Sequence, residues 1–446
     1  MKAKRILAGL LSAAMVLSLA ACAGGGGESS TAPSESTPPS ESTTDKTNTA
    51  DEITIWAWDD NFNVKAANIA KEYYAKVNPD VKVNVVSMAQ DDIVQKLNTA
   101  FSGPNYEGLP NIVLIEDYRI QGYLQNYDAL RDLSAIVDPA KFMDYKLESM
   151  TKDGKVYGVP FDSGVAALFY RVDYIEKAGY KVADMQDITW DKYIEIGKAV
   201  KEKTGKSMLT LDPSDLGQIR MMMQSAGAWY VGEDGSTVTL KDNQALKDAL
   251  NTYKKIIDAG IATQISGWDA FVGAFQNGDV ASVPTGCWIA PSVAAAEDQK
   301  GKWAVAALPK MAENSKSINA SNIGGASWYV IDKVEGAETA EDFLKNTFAS
   351  NTDLMNDLVT EINLVSTLKA AGEAENYAKP NEFFSNQKIF DDFFAWTEEI
   401  PAVNYGLYTY SIEDIMTEAL QSILGGAEID ATLAEYQTQV EASVAK

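Results

Sequence analysis

The chain has 446 residues, 46% of them hydrophobic, and a formal charge of −25 from 38 Lys and Arg against 63 Asp and Glu. So acidic a chain, with no basic stripe, repels nucleic acid and anionic membrane, which excludes both as charge-driven partners. It contains no histidine and two cysteines, which removes Ser-His-Asp and Cys-His nucleophiles, HExxH zinc sites and histidine proton shuttles together.

In chain order, MKAKR is basic and ILAGLLSAAMVLSLAA then runs uncharged to Cys22. A basic start, a short apolar run and small residues at its end predict a secretory signal over residues 1–21. The stretch LAAC resembles the lipobox of bacterial lipoproteins, which implies cleavage before Cys22 and acylation of that cysteine. From Ala23 to Ala50 there is no large apolar residue. Such a segment cannot bury enough surface to offset its ordering entropy, so 22–50 is expected to be a disordered tether. As a flexible coil it would reach about 30 Å.

The body, 51–446, is long enough for two lobes, and no stretch of it is apolar for long enough to span a bilayer. Ile53-Thr54-Ile55-Trp56-Ala57-Trp58 alternates as a strand does. A helix with Val64, Ala67, Ile69, Ala70 and Tyr73-Tyr74 on one face follows, until Asn78-Pro79-Asp80 breaks it. Val81, Val83 and Val85 resume a strand; a helix over Asp91–Ser102 leads past Pro110 to the strand Asn111–Ile115. This β-α-β-α-β order predicts a parallel sheet covered by helices. Ligands of such sheets sit beyond the carboxyl ends of the strands. Trp58-Asp59-Asp60 and Glu116-Asp117-Tyr118 therefore fall on one rim, with Trp56, on the opposite face from Trp58, taken as core.

Further on, Trp190–Lys203 reads as an amphipathic helix capped by Thr189, and Leu246–Ala259 and Ala340–Phe348 as helices. Asp279–Val283 reads as a short strand running into Pro284-Thr285-Gly286-Cys287-Trp288. There is no DxDxDG calcium loop and no GxxxxGK[ST] phosphate loop, so neither metal nor cofactor is expected. With Cys22 acylated, Cys287 has no partner for an intrachain disulfide and reads as a small buried residue. Met221-Met222-Met223 reads as core, and acidic pairs such as Asp59-Asp60, Asp91-Asp92 and Glu398-Glu399 are mostly the solvated surface of an acid-rich chain.

Several stretches together resemble one family, the extracellular solute-binding proteins of ABC importers, in the branch that takes up oligosaccharides. LPNIVLIEDYRIQGYLQNYDALRDLS is similar to its strand, acidic loop and helix, and YGVPFDSGVAALFYRVDYIEKAGY to its crossover between lobes. ITWDKYIEIGKAV, FVGAFQNGDVASVPTGCWIA, GKWAVAALPK and NIGGASWYVI follow in the family's order and spacing. The resemblance implies a periplasmic-binding-protein-like fold, two α/β lobes around a ligand cleft with hinge crossovers. It places 51–161 and 308–350 in an N-terminal lobe and 162–307 and 351–446 in a C-terminal lobe. It also implies a monomer without catalytic activity that delivers sugar to permease subunits; with an acylated Cys22 it is expected on the outer face of the membrane of a Gram-positive bacterium.

A pyranose offers an apolar face of C–H groups and a rim of hydroxyls, which suits aromatic planes with carboxylates and amides around them. The expected ligand residues are Trp58, Asp59, Asp117, Trp268, Phe271 and Trp288, with Trp328 behind Gly324-Gly325-Ala326-Ser327 and Asn404-Tyr405 on the far side. Asp162, beside the crossover, is either a ligand or a hinge residue. Trp190, Trp303 and Trp396 are expected to pack, and Trp229 is open. Two alternatives remain: the same scaffold for another solute, such as a peptide, polyamine or phosphorylated compound, and a secreted glycoside hydrolase.

Overall fold

A computed structural model of the chain describes residues 48–444. The signal segment, Cys22 and most of the tether lie outside the described residues, and none of the described helices is long and apolar enough to cross a membrane. Strands β1 (Glu52–Ala57), β2 (Lys82–Ser87) and β3 (Ile112–Glu116) alternate with helices Asn63–Tyr74 and Gln90–Phe101, as the periodicity predicts. β1 pairs in parallel with both β2 and β3.

Beyond them come the ribbon β4 (Thr151–Lys152) and β5 (Lys155–Val156), then β6 (Gly158–Pro160) and β7 (Ala166–Arg171). β8 (Leu209–Leu211), β9 (Ala262–Gln264), β10 (Ser282–Gly286), β11 (Trp303–Ala307) and β12 (Ala326–Val330) complete the set. The first sheet has the order β2-β1-β3-β12-β6 and is mixed, because β12 runs antiparallel to β3 and β6. A second sheet, β10-β7-β11, is antiparallel throughout, and β8 pairs in parallel with β9 beside it. The expected strand at Asp279–Val283 begins three residues later, since its pairing partner β7 fixes Ser282 opposite Tyr170.

Local chemistry sets the helix ends. Thr189 Oγ1 accepts from Lys192 N at 3.2 Å and starts Trp190–Thr204, which ends at Gly205 with φ +73°. Met221, Met222 and Met223 are buried, as are Trp190, Trp229 and Trp303. The ring of Trp229 stacks on Tyr118 at 5.4 Å, which settles it as packing.

Two sheets joined by few strands need well-made crossings. β6 ends at Pro160 in the first sheet and β7 begins at Ala166 in the second; β11 and β12 make the return crossing over 308–325. The crossings lie side by side: Ile323 N donates to Gly164 O at 2.8 Å, and Ser163 N donates to Val365 O at 2.8 Å, adding a third segment. A Cβ on Gly164 would stand 2.2 Å from the Ile323 carbonyl oxygen, so only glycine fits. Gly164→Ala is expected to destabilise by about 1–3 kcal/mol, as overpacking does, and to lower the melting temperature by a few degrees. A thermal melt indistinguishable from the parent's would contradict this close approach.

The third segment corrects the expected lobe boundary at 350. Helix Thr352–Ile362 packs on helix Asn63–Tyr74 of the first sheet, with the Tyr73 hydroxyl donating to Asp357 and Lys65 paired to Glu361 at 2.9 Å. The chain joins the second sheet only later, where Phe384 and Phe393 pack on Phe169 of β7.

Candidate functional site

The rim of the first sheet and the loops of the second face each other across a cleft with two chambers. The inner chamber, about 710 Å³, includes Tyr118, Asp212, Asp215, Gln218, Arg220, Phe271 and Thr285 in its wall. The outer chamber, about 850 Å³, includes Asp59, Phe62, Lys65, Asp162, Gln276 and Asn363. Both share Trp58, Gln90, Glu116, Trp268 and Trp288, which form a waist between them.

The waist is built from element ends. Trp58 follows the last residue of β1, and its backbone N–H donates to Asn63 Oδ1 at 3.0 Å. Trp288 follows β10; its Nε1 donates to Ile323 O at 3.0 Å, which fixes the indole across the crossing segment. A Cβ on Gly286 would lie 2.1 Å from that nitrogen, so the glycine two residues before the tryptophan makes room for its ring. Trp268 opens helix Trp268–Gln276 and is 55% exposed, with its ring 6.0 Å from Trp288 and 5.5 Å from Phe271. That helix buries Phe275 and leaves its other aromatic groups toward the cleft, an exposure that a bound apolar face would relieve.

Among the acidic groups, Glu116 and not Asp117 faces the cleft. Glu116 is the last residue of β3; its Oε2 accepts from the Tyr410 hydroxyl at 2.5 Å and from Gln90 Nε2 at 3.4 Å. Asp117, one residue on, opens a helix and turns inward, where it is 1% exposed and bonds Lys146 Nζ at 2.5 Å. Burial raises its carboxyl to about 6 despite the ammonium beside it. Lys146, also 1% exposed at its side chain, donates to Ala326 O at 3.1 Å and lies 4.0 Å from Asp162. Asp162 Oδ1 accepts from Ala326 N at 2.6 Å, and burial raises its pKa as well. Asp162 thus ties the crossing to β12 and also lines the outer chamber.

Of the remaining expected residues, Asp59 stands on the rim of the outer chamber with Oδ1 committed to Asn61 N and Phe62 N at 2.8 and 3.1 Å. Trp328 is a correction: it is fully buried in β12, stacked on Phe348 at 5.0 Å and against Phe161 at 5.3 Å. The small residues before it serve strand pairing and the crossing, with Gly325 Cβ space taken by Asp117 Oδ2 at 2.8 Å. Tyr405 is a second correction. It is 2% exposed, set edge-on to Tyr118 at 4.7 Å and bonded through its hydroxyl to Gln224 Nε2 at 3.1 Å. Asn404 lines a separate hollow with Glu233 and Asn243, its Nδ2 donating to Glu233 O at 3.2 Å.

Sequence reasoning passed over Gln90, Gln218 and Arg220. Arg220 sits over the Tyr118 ring at 5.2 Å and pairs with Glu413 at 3.0 Å and Asp215 at 3.5 Å. Tyr118 and Glu413 lie far off in sequence, so no local motif announces it. Cys287 is buried with its thiol on Ser163 O at 3.2 Å, and burial pushes its pKa up, the opposite of a nucleophile.

Residues 68–385 match the model of a family described as bacterial extracellular solute-binding proteins. A lactose-binding protein of Rhizobium radiobacter is 43% identical over 396 residues, covering 89% of this chain and 93% of the relative. An arabinooligosaccharide-binding protein of Bacillus subtilis (strain 168) is 28% identical, over 66% of this chain and 68% of the relative. Among solved structures, the ABC transporter associated binding protein from B. animalis subsp. lactis, in complex with beta-1,6-galactobiose, aligns at a TM-score of 0.69. It shares 24% identity over 87% of this chain and 96% of that one. The galacto-N-biose-/lacto-N-biose I-binding protein from Bifidobacterium longum aligns at 0.72 with 20% identity, over 90% and 98%. At these identities the structures establish the shared fold.

Proposed function

The chain belongs to the bacterial extracellular solute-binding proteins, and from that premise we propose that it captures an oligosaccharide for an ABC importer. The observation that carries the reading is the waist, where Trp58, Trp268 and Trp288 offer apolar planes beside the Glu116 carboxylate and the Gln90 amide. Aromatic planes suit the C–H faces of pyranoses and the polar groups suit their hydroxyls. Sugar units in both chambers would place the linkage between them at the waist. The relatives named for lactose and arabinooligosaccharide binding support the same ligand class.

Closure would bend the three side-by-side crossing segments and bring Trp268, at the start of helix Trp268–Gln276, down on ligand held at the rim of the first sheet. The closed form would dock on permease subunits as a monomer, without chemical change to the sugar. A thermal-shift panel of neutral oligosaccharides tests the reading: at least one should raise the melting temperature in a concentration-dependent way. A panel without any shift would remove the oligosaccharide claim.

Glu116→Gln keeps the shape of the side chain and removes its charge, and is expected to weaken binding about tenfold, the loss typical of a charge-assisted hydrogen bond. Asn404→Ala is expected to change affinity less than twofold, because Asn404 faces another hollow. Calorimetry on both variants separates the waist from the far side; equal losses would contradict the placement.

The LAAC stretch supports a lipid anchor on Cys22, with the tether holding the protein near its permease at high effective concentration. That would place it on the outer face of the cell membrane, as Gram-positive bacteria require of a binding protein. Cys22→Ser should release the protein into the medium, read by detergent partition and blotting; continued membrane retention would refute the anchor.

A further inference from the structure

The charged groups around the cleft carry the sugar reading one step further, to the charge class of the ligand. The inner chamber has Asp212, Asp215 and Glu116 in its wall, and its cation is Arg220. Arg220 is already matched, with Nη1 3.0 Å from Glu413 and Nη2 3.5 Å from Asp215. In the outer chamber the cation is Lys65, whose Nζ lies 2.9 Å from Glu361 Oε2 and also donates to the Glu361 carbonyl at 2.8 Å.

Helix N-termini are the other common anion sites, because their first amides point outward at the positive end of the helix dipole. Helices Gly217–Ser225 and Trp268–Gln276 begin at the inner chamber, and the chain closes both ends with its own carboxylates; helices Gln90–Phe101 and Asp117–Asn126, which also begin at its wall, carry Asp91, Asp92 and Asp117 in their first turns. Asp215 Oδ1 accepts from Gly217 N at 2.9 Å at the start of helix Gly217–Ser225. Asp212 Oδ2 accepts from Gly267 N at 3.0 Å, immediately before helix Trp268–Gln276. An anionic ligand would therefore meet paired cations, helix ends capped or flanked by carboxylates, and further carboxylates in the cleft wall, all of which repel it. A neutral sugar meets acceptors for its hydroxyls.

We infer that the cleft selects uncharged oligosaccharides and rejects those bearing a carboxylate, sulfate or phosphate, with Asp212 and Asp215 as the residues that enforce the choice. Rejection by placing like charge against the wrong ligand is a recognised route to specificity.

This inference rests on the sugar-binding reading, and the test separates the two. Calorimetry at low salt and pH 7 would compare lactobionate with lactobionamide, its neutral counterpart, and digalacturonate with its methyl diester. Lactose and neutral galacto- and arabino-oligosaccharides serve as references. In at least one pair the neutral member should bind 30-fold or more tightly than the acid. That ratio should shrink at least threefold in the double variant Asp212→Asn/Asp215→Asn, an effect that a general loss of structure would not produce. Acids that bind as well as their neutral counterparts, both undetectable included, overturn the charge selection while leaving reference sugar binding intact. A protein that binds none of the neutral references takes the underlying reading down with it.

Discussion

Replacing Trp288 by alanine should weaken oligosaccharide binding by about 30- to 700-fold while leaving the melting temperature of the ligand-free protein within a few degrees of the parent. Trp288 walls both chambers, and the hydrogen bond from its Nε1 to Ile323 O holds the ring in one orientation before ligand arrives. A preorganised aromatic plane binds without loss of side-chain freedom, and truncating such an anchor typically costs about 2–4 kcal/mol. Each ~1.4 kcal/mol is tenfold in affinity. Stability should change little because the ring is only partly buried and lies at the cleft surface. Trp328→Ala is the matched control. It removes a fully buried ring from beneath Phe348 and should lower stability by about 3–5 kcal/mol. Equal affinity losses without a stability difference would contradict the assignment of one tryptophan to the cleft and the other to the core.

The second large effect belongs to Lys146. Its ammonium is enclosed between Asp117, Asp162 and the Ala326 carbonyl, and the side chains of Lys146 and Asp117 are 1% exposed. Lys146→Met leaves Asp117 buried without a counter-ion, which should destabilise by about 3–5 kcal/mol. For a body of this size that lowers the melting temperature by about 5 °C. Changing Asp117→Leu in the same molecule should recover a large part of the loss, since the apolar pair leaves only the Asp162 carboxyl, which keeps its bond from Ala326 N. A double variant less stable than Lys146→Met alone would show that the carboxylate is not the source of the strain. The pair sits where β3, β12 and the crossing at Asp162 meet, so it also fixes the floor from which Glu116 projects.

Much of this architecture was legible in the sequence. The alternation in Ile53–Trp58 and at Val81, Val83 and Val85, with the apolar run at Ile112–Ile115, predicts three strands that the structure pairs in parallel. The same alternation separates Trp56 from Trp58, the first buried at 7% and the second in the cleft wall. The antiparallel β12 was not legible, because its partners β3 and β6 are remote in sequence and its residues are buried on both faces.

The site divides in the same way. Trp58, Trp268, Phe271 and Trp288 stand at element ends, where topology points to a cleft, and all four line it. The rim position of Glu116-Asp117-Tyr118 was also legible. Which carboxylate turns outward depends on where β3 gives way to its helix, and one residue of difference sends Asp117 to Lys146. Trp328 and Tyr405 were misplaced because an aromatic beside glycines reads alike in a cleft and in a core. Burial against Phe348 and Tyr118 decides for the core. Arg220 and Glu413, 193 residues apart, form a pair that only the folded chain brings together.

In the proposed function, the two-chambered cleft binds a neutral oligosaccharide across its tryptophan waist and releases it unchanged. Calorimetric titration with lactose and with galacto- and arabino-oligosaccharides of two to four units, followed by chromatography of the recovered sugar, tests it most directly. Saturable one-to-one binding of at least one of them is expected, weakened at least 30-fold by Trp288→Ala, with the sugar recovered intact. Absence of binding across the series, affinity unchanged by loss of Trp288, or shortened products in the recovered sugar would contradict it.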